Sequence, residues 1–148
     1  MLTLLEARLA RELTEETGLS MADYTVLSNL AEAAGRRWRI TALAERMRWS
    51  QSRLSHQITR MERRRLVTRE GVAEDGRGAF VVLSPIGLRA IAAAAPGHFS
   101  SVRRHLIALL TQDQLRTLGD ISELVVDHLI TLDEDLTPDR APASDRVG

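Results

Sequence analysis

Residues 41–65 read TALAERMRWSQSRLSHQITRMERRR, and the organisation of the chain turns on this stretch. Its first part is a short helix capped by Thr41, with Leu43, Ala44 and Met47 facing inward. Arg48-Trp49 makes a tight turn, and Ser50 caps a longer helix that runs to about Arg65. Leu54, Ile58 and Met61 recur at the i, i+4, i+7 spacing that puts apolar groups on one side of a helix. Opposite them lie Gln51, Ser52, Ser55, His56, Thr59, Arg60 and Arg63. A solvated surface alone would favour Glu and Arg for their helix propensity, so short hydroxyls and an amide at the helix start suggest a face built for close approach.

Outward from this pair, the pattern extends in both directions. Leu2, Leu5, Leu9 and Leu13 mark a first helix from about residue 1 to Thr17, stopped by Gly18. Ser20 with Asp23 forms a capping box for a second helix, with Tyr24, Leu27, Leu30 and Ala31 inward and Gly35 at its end. Arg36 to Ile40 reads as a short extended link. Downstream, Leu66–Gly71 and Gly78–Leu83 are rich in β-branched residues and flank Glu74-Asp75-Gly76-Arg77, which predicts a β-hairpin with a glycine-rich tip. Ser84-Pro85 opens a fifth helix that Pro96-Gly97 kinks or splits, with the helical pattern resuming to Leu110. Thr111 with Gln114 caps a last helix lined by Leu115, Leu118, Ile121, Val125 and Leu129. The polar segment 137–148, with two prolines and no apolar period, is expected to be a disordered tail. The fold expected is mainly α with a small β-hairpin wing: a winged helix-turn-helix between apolar N- and C-terminal helices.

At 148 residues the chain can bury one sizeable core. It has no cysteine, which excludes disulfides, thiolate metal sites and thiol switches. The N-terminus lacks the pattern of a signal peptide, and Ala90 to Val102 is too short and too interrupted to span a bilayer, so a cytoplasmic protein is expected. His56, His98, His105 and His128 have no HxxxH spacing, and no GxSxG, P-loop or dinucleotide glycine motif occurs. No enzyme, metal or cofactor is expected.

The formal net charge is zero, but its distribution is uneven. Residues 36–77 hold twelve Arg against five acids, while the segments on either side are net negative. A basic third that contains the helix pair and the hairpin is a footprint for a polyanion. The start of a recognition helix enters the major groove of DNA. There Gln51 can pair an adenine edge, and Arg53 or His56 can reach guanine acceptors, according to the roll of the helix. Ser50 and the free N–H groups at the helix start suit a phosphate. Arg63-Arg64-Arg65 at the helix exit reads as phosphate contacts. Arg77, between glycines at the hairpin tip, suits a narrow minor groove, with Asp75 orienting it or another nearby arginine. The competing reading is a winged helix that binds protein and not DNA, which leaves the arginine cluster without a purpose.

Taken together these residues resemble the MarR (multiple antibiotic resistance regulator) family of transcription regulators. The segments that carry the resemblance are 41–47 (TALAERM), 49–62 (WSQSRLSHQITRME), 66–69 (LVTR, without the usual preceding glycine), 74–77 (EDGR, an Asp two residues before an Arg) and 84–87 (SPIG). The resemblance covers the first helix to about Leu132. It implies one domain over 1–136, with 20–84 as the DNA-binding region and 1–18 and 85–136 as dimerisation helices. It implies a homodimer on an inverted-repeat operator, and a repressor released by a small aromatic or anionic effector. DNA contacts are expected from Ser50, Gln51, Ser52, Arg53, Ser55, His56, Arg60, Arg63, Arg64, Arg69 and Arg77, with Asp75 orienting the wing. Tyr24, Trp38, His98 and Phe99 are the aromatic candidates near an effector crevice. Family members have residues ahead of the first helix, so either the N-terminal dimer contacts are reduced here or the native start lies upstream of Met1.

Overall fold

The computed structural model describes residues 1–71 and 78–135. They fall into two units, Met1–His105 and the part from Leu106 onward. In the first unit the elements run α1 (Leu2–Thr17), α2 (Met21–Glu32), β1 (Arg37–Arg39), α3 (Ile40–Arg46), α4 (Gln51–Arg63), β2 (Val67–Gly71), β3 (Ala79–Leu83) and α5 (Pro85–His105). The mainly α architecture with a small β wing is as the sequence predicts.

The caps follow from the side chains. Gly18 ends α1 in the left-handed region at φ 70°. Ser20 and Asp23 close the capping box of α2 in both directions. The Ser84 hydroxyl accepts from the Gly87 N–H at 2.9 Å and donates to the Arg65 carbonyl, fixing the start of α5 beside the end of α4. Both α3 and α4 end in Schellman motifs. Trp49 N–H reaches the Ala44 carbonyl at 2.9 Å, and Leu66 N–H reaches that of Met61 at 3.0 Å. The left-handed position in each is an arginine, Arg48 or Arg65, with φ 53° and 58°. A Cβ makes that conformation unfavourable by about 1–2 kcal/mol.

Four expectations change. The extended link expected at 36–40 is extended at Arg37–Arg39, but it forms a third strand and follows a 3-10 turn, Ala34–Arg36. The sheet order is β1-β3-β2, and β1 pairs antiparallel with β3 through Trp38 opposite Val81. Helix α3 starts at Ile40 with Arg39 as N-cap and no side-chain cap bond, so Thr41 is inside the helix. Helix α5 runs unbroken through Pro96, whose missing N–H removes one backbone bond, and it stops at His105. A 3-10 turn, Ile107–Leu109, follows where the sequence suggested more helix.

One core serves all the elements of the first unit. Val26, Leu27 and Leu30 of α2, Leu43 of α3, and Leu54, Ile58 and Met61 of α4 are all 0% exposed, and Val67, Val81, Ile91 and Ala94 close around them. Gly87 lets α5 approach the end of α4 closely: a Cβ there would lie 2.0 Å from the Leu66 carbonyl oxygen. Glu12 pins α1 to α5, accepting from Arg8 at 2.7 Å, from His105 Nε2 at 2.9 Å and from the Ser101 hydroxyl. These bonds, Ser101 and His105 foremost, pull its carboxyl down to about 2.

The second unit holds α6 (Gln112–Asp135), opened by the capping box of Thr111 and Gln114. Ile121, Leu124, Val125, Val126, Leu129, Ile130 and Leu132 are all exposed on it. No helix among the described residues is long and apolar enough to cross a membrane.

Candidate nucleic-acid interface

Helix α4 carries two faces. Its apolar side is sealed in the core, and the opposite side exposes Gln51, Ser52, Arg53, His56, Arg60 and Arg63, with Ser55 and Thr59 half-buried. Ser50 caps the helix by accepting from Arg53 N–H at 3.2 Å, as expected. The N–H groups of Gln51 and Ser52 have no carbonyl a turn earlier in the helix to donate to, so they point outward at its positive end. Arg53 lies over the Trp49 ring, with Cζ 4.0 Å from its centre, which holds the guanidinium beside the turn.

Three arginines predicted for DNA are hydrogen-bonded within the fold, the first of them Arg60, which donates to Gln57 Oε1. Arg64 donates to Asp23 Oδ2 at 2.7 Å and to the Gly18 carbonyl at 2.9 Å. Arg69, on β2, donates to the Ser55 carbonyl at 2.9 Å and the Thr59 hydroxyl at 3.0 Å, and pairs with Glu62 at 3.2 Å. It ties strand β2 to helix α4. Asp75 and Arg77 lie outside the described residues. On the other edge of the sheet Arg37 and Arg39 stack on Phe80, with Arg37 4.0 Å from the ring centre. Arg37 also pairs with Glu70 at 3.4 Å.

The sequence reading missed Gln57, 2% exposed on the apolar side of α4, where it donates to Asp23 Oδ1 at 2.7 Å. Its position between Leu54 and Met61 was the available signal. Asp23 was legible only as half of a capping box, and its links to α4 were not.

A pocket of about 580 Å³ opens between α1 and the facing parts of α2 and α5, lined by Thr3, Glu6, Leu9, Ala10, Met21 and His98 among others. His98 Nδ1 is buried with no hydrogen-bond partner among the described residues, and burial pushes its pKa down. Tyr24 lies beside it, ring centres 4.5 Å apart. Trp38 instead donates its indole N–H to the Asn29 carbonyl, and Phe99 is exposed. Among the described residues no group of side chains is placed to hold a metal ion.

The sequence and the fold have relatives of known family. A MarR family model matches residues 5–78. AbsC, a MarR family transcriptional regulator from Streptomyces coelicolor, is 43% identical, with a TM-score of 0.80 over 87% of this chain and 86% of that one. Sco3205, a MarR family transcriptional regulator from the same organism, solved in complex with DNA, is 38% identical, with a TM-score of 0.81 over 86% and 83%. A mutant E. coli MarR complexed with operator DNA shares the fold at 20% identity, with a TM-score of 0.72 over 84% and 89%. No curated protein matches. The half-chain family match and two relatives above 30% identity across most of the sequence establish that the chain belongs to the MarR family of DNA-binding transcription regulators.

Proposed function

We propose that the chain is a homodimeric repressor that binds an inverted-repeat operator in double-stranded DNA through α4 and is released by a small aromatic or anionic ligand. The observation that carries this reading is the outward face of α4, where Gln51, Ser52, Arg53 and His56 stand exposed around a capped, positively polarised helix start. The DNA contacts are assigned to Ser50, Gln51, Ser52, Arg53, Ser55, His56, Arg60 and Arg63, and to Arg77 in the minor groove with Asp75 beside it. Arg64 and Arg69 serve first to hold α4 in place. Dimerisation is supported by the exposed apolar side chains of α6, which a partner copy would cover. Release by a ligand is supported by the His98 pocket, whose size suits a small molecule and beside which a buried imidazole nitrogen lacks a hydrogen-bond partner among the described residues.

Footprinting on the DNA upstream of the protein's own coding region tests the reading. Protection of two half-sites about one helical turn apart is expected, lost on adding phenolic or anionic compounds. Affinity should fall about a thousandfold between about 50 and 200 mM salt, because phosphate contacts release counterions. A flat salt response, or no protection of any duplex, would leave a protein-binding winged helix in its place.

A further inference from the structure

Asp23 does more than cap α2. It is 3% exposed, and its carboxylate takes a bond from the Ser20 N–H at 2.9 Å, which a capping box requires. Two further donors reach it from α4, 34 and 41 residues along the chain: Gln57 Nε2 on Oδ1 and Arg64 Nη1 on Oδ2, both at 2.7 Å. Burial pushes the Asp23 carboxyl up, but the Ser20 N–H and Arg64 outweigh it, so the group stays ionised.

An ionised carboxylate can only accept hydrogen bonds. Gln57 must therefore turn its amide nitrogen toward Asp23, which leaves its oxygen facing the other way. There Arg60, exposed on the outer side of α4, donates Nη2 to Gln57 Oε1. Arg64 meanwhile spans from Asp23 to the Gly18 carbonyl at the end of α1. A charge on one helix thus sets the polarity of a buried amide on another, and the amide sets the aim of an exposed guanidinium.

We infer that Asp23 is a positioning residue for operator recognition, aiming Arg60 through Gln57 and fixing the end of α4 to the α1–α2 junction through Arg64, without touching DNA. The inference rests on α4 being the helix that reads the operator. Asparagine at this position keeps the shape and a capping oxygen but loses the charge, and it can offer Gln57 either a donor or an acceptor. Gln57 is then free to turn over and Arg60 loses its fixed acceptor.

The test uses the full chain and measures affinity for the footprinted operator and for a scrambled duplex of equal length, with thermal unfolding alongside. In Asp23→Asn the operator-to-scrambled preference should fall about tenfold, the scale of one misread base pair. Scrambled-duplex affinity should stay within about twofold, because phosphate contacts are untouched. Arg60→Ala should lower the preference by a similar factor, and adding Asp23→Asn to it should lower the preference by less than Asp23→Asn does alone. A role limited to stability would lower both affinities together through the folded fraction, leaving the preference intact; that result overturns the inference. So does an undiminished preference in Arg60→Ala, or a full additional loss in the double variant. If Asp23→Asn fails to fold, Gln57→Met, which leaves the cap and the Arg64 pair in place, must reduce the preference in its stead, and an unchanged preference overturns the inference. A wild-type chain that does not distinguish operator from scrambled duplex defeats the operator reading itself.

Discussion

Helices α4 and α6 both carry apolar stripes at helical spacing and meet different surroundings. Leu54, Ile58 and Met61 of α4 are 0% exposed, whereas Ile121, Val125 and Leu129 of α6 are 53%, 48% and 54% exposed. Periodicity records which side of a helix is apolar; it does not record whether the partner lies in the same chain. On the dimeric reading proposed above, the difference separates side chains that hold one subunit together from side chains that a second copy would cover. It also explains why a single chain exposes so many large aliphatic groups along one helix.

The largest effect is expected where the stripe is sealed. Ile58→Ala should lower unfolding stability by about 2–5 kcal/mol in denaturant titration, through lost burial and the cavity left behind. Val125→Asp on α6 should instead convert a sedimenting dimer to a monomer. A dimer that survives Val125→Asp would break the contrast. Next comes the close approach without a side chain: Gly87→Ala should cost about 1–3 kcal/mol, since the new methyl meets the Leu66 backbone, which gives less readily than a side chain. An unchanged melting temperature would mean that α5 can shift away from α4 freely.

Glu12 sharpens the comparison through pH. Its carboxyl is depressed from 4.5 to about 2 in the folded chain, so its bonds to Ser101 and His105 stabilise the fold fully above pH 4.5. That contribution is lost as pH falls through about 2. Glu12→Gln should flatten the loss of stability across this window, and an acid limb identical to wild type would show that α1 and α5 are held by apolar packing alone. The smallest effect belongs to Arg65, whose left-handed backbone a glycine adopts freely. Arg65→Gly should raise stability by about 0.5–1 kcal/mol, the relief of strain exceeding the added freedom of the unfolded chain. A loss of stability would mean that the Arg65 side chain makes contacts outweighing its strain.

Features dictated by nearest neighbours were legible in the sequence. The Ser20–Asp23 box, the Ser50 cap, the Ser84-Pro85 start and the inward triad of α4 each depend on residues a turn or two apart. Strand β1 was not, because three residues are too few to show a period and its pairing lies more than forty residues away. Thr41 looked like a cap because capping propensity is local, but the strand immediately before α3 delivers the chain into helix two residues earlier. The partners of Arg64 and Arg69 were hidden for a different reason. A guanidinium carries five donors on a long stem, and only the tertiary fold decides whether they find a carboxylate, a carbonyl or solvent. Gln51, Ser52, His56, Arg60 and Arg63 of α4 were therefore read correctly as exposed, whereas Ser55 and Thr59 are half-buried against Arg69, and Arg64 and Arg69 were assigned to DNA without sight of Asp23 and Glu62.

The clasp of Arg69 on Ser55, Thr59 and Glu62 bears on the kinetics of binding. Strand β2 and helix α4 would otherwise have to be ordered against each other at the moment of encounter, slowing association and weakening the complex by the entropy lost. Because the guanidinium joins them in the unbound chain, that ordering belongs to folding, and if α4 reads the operator as proposed it meets the duplex with its neighbouring strand already in register.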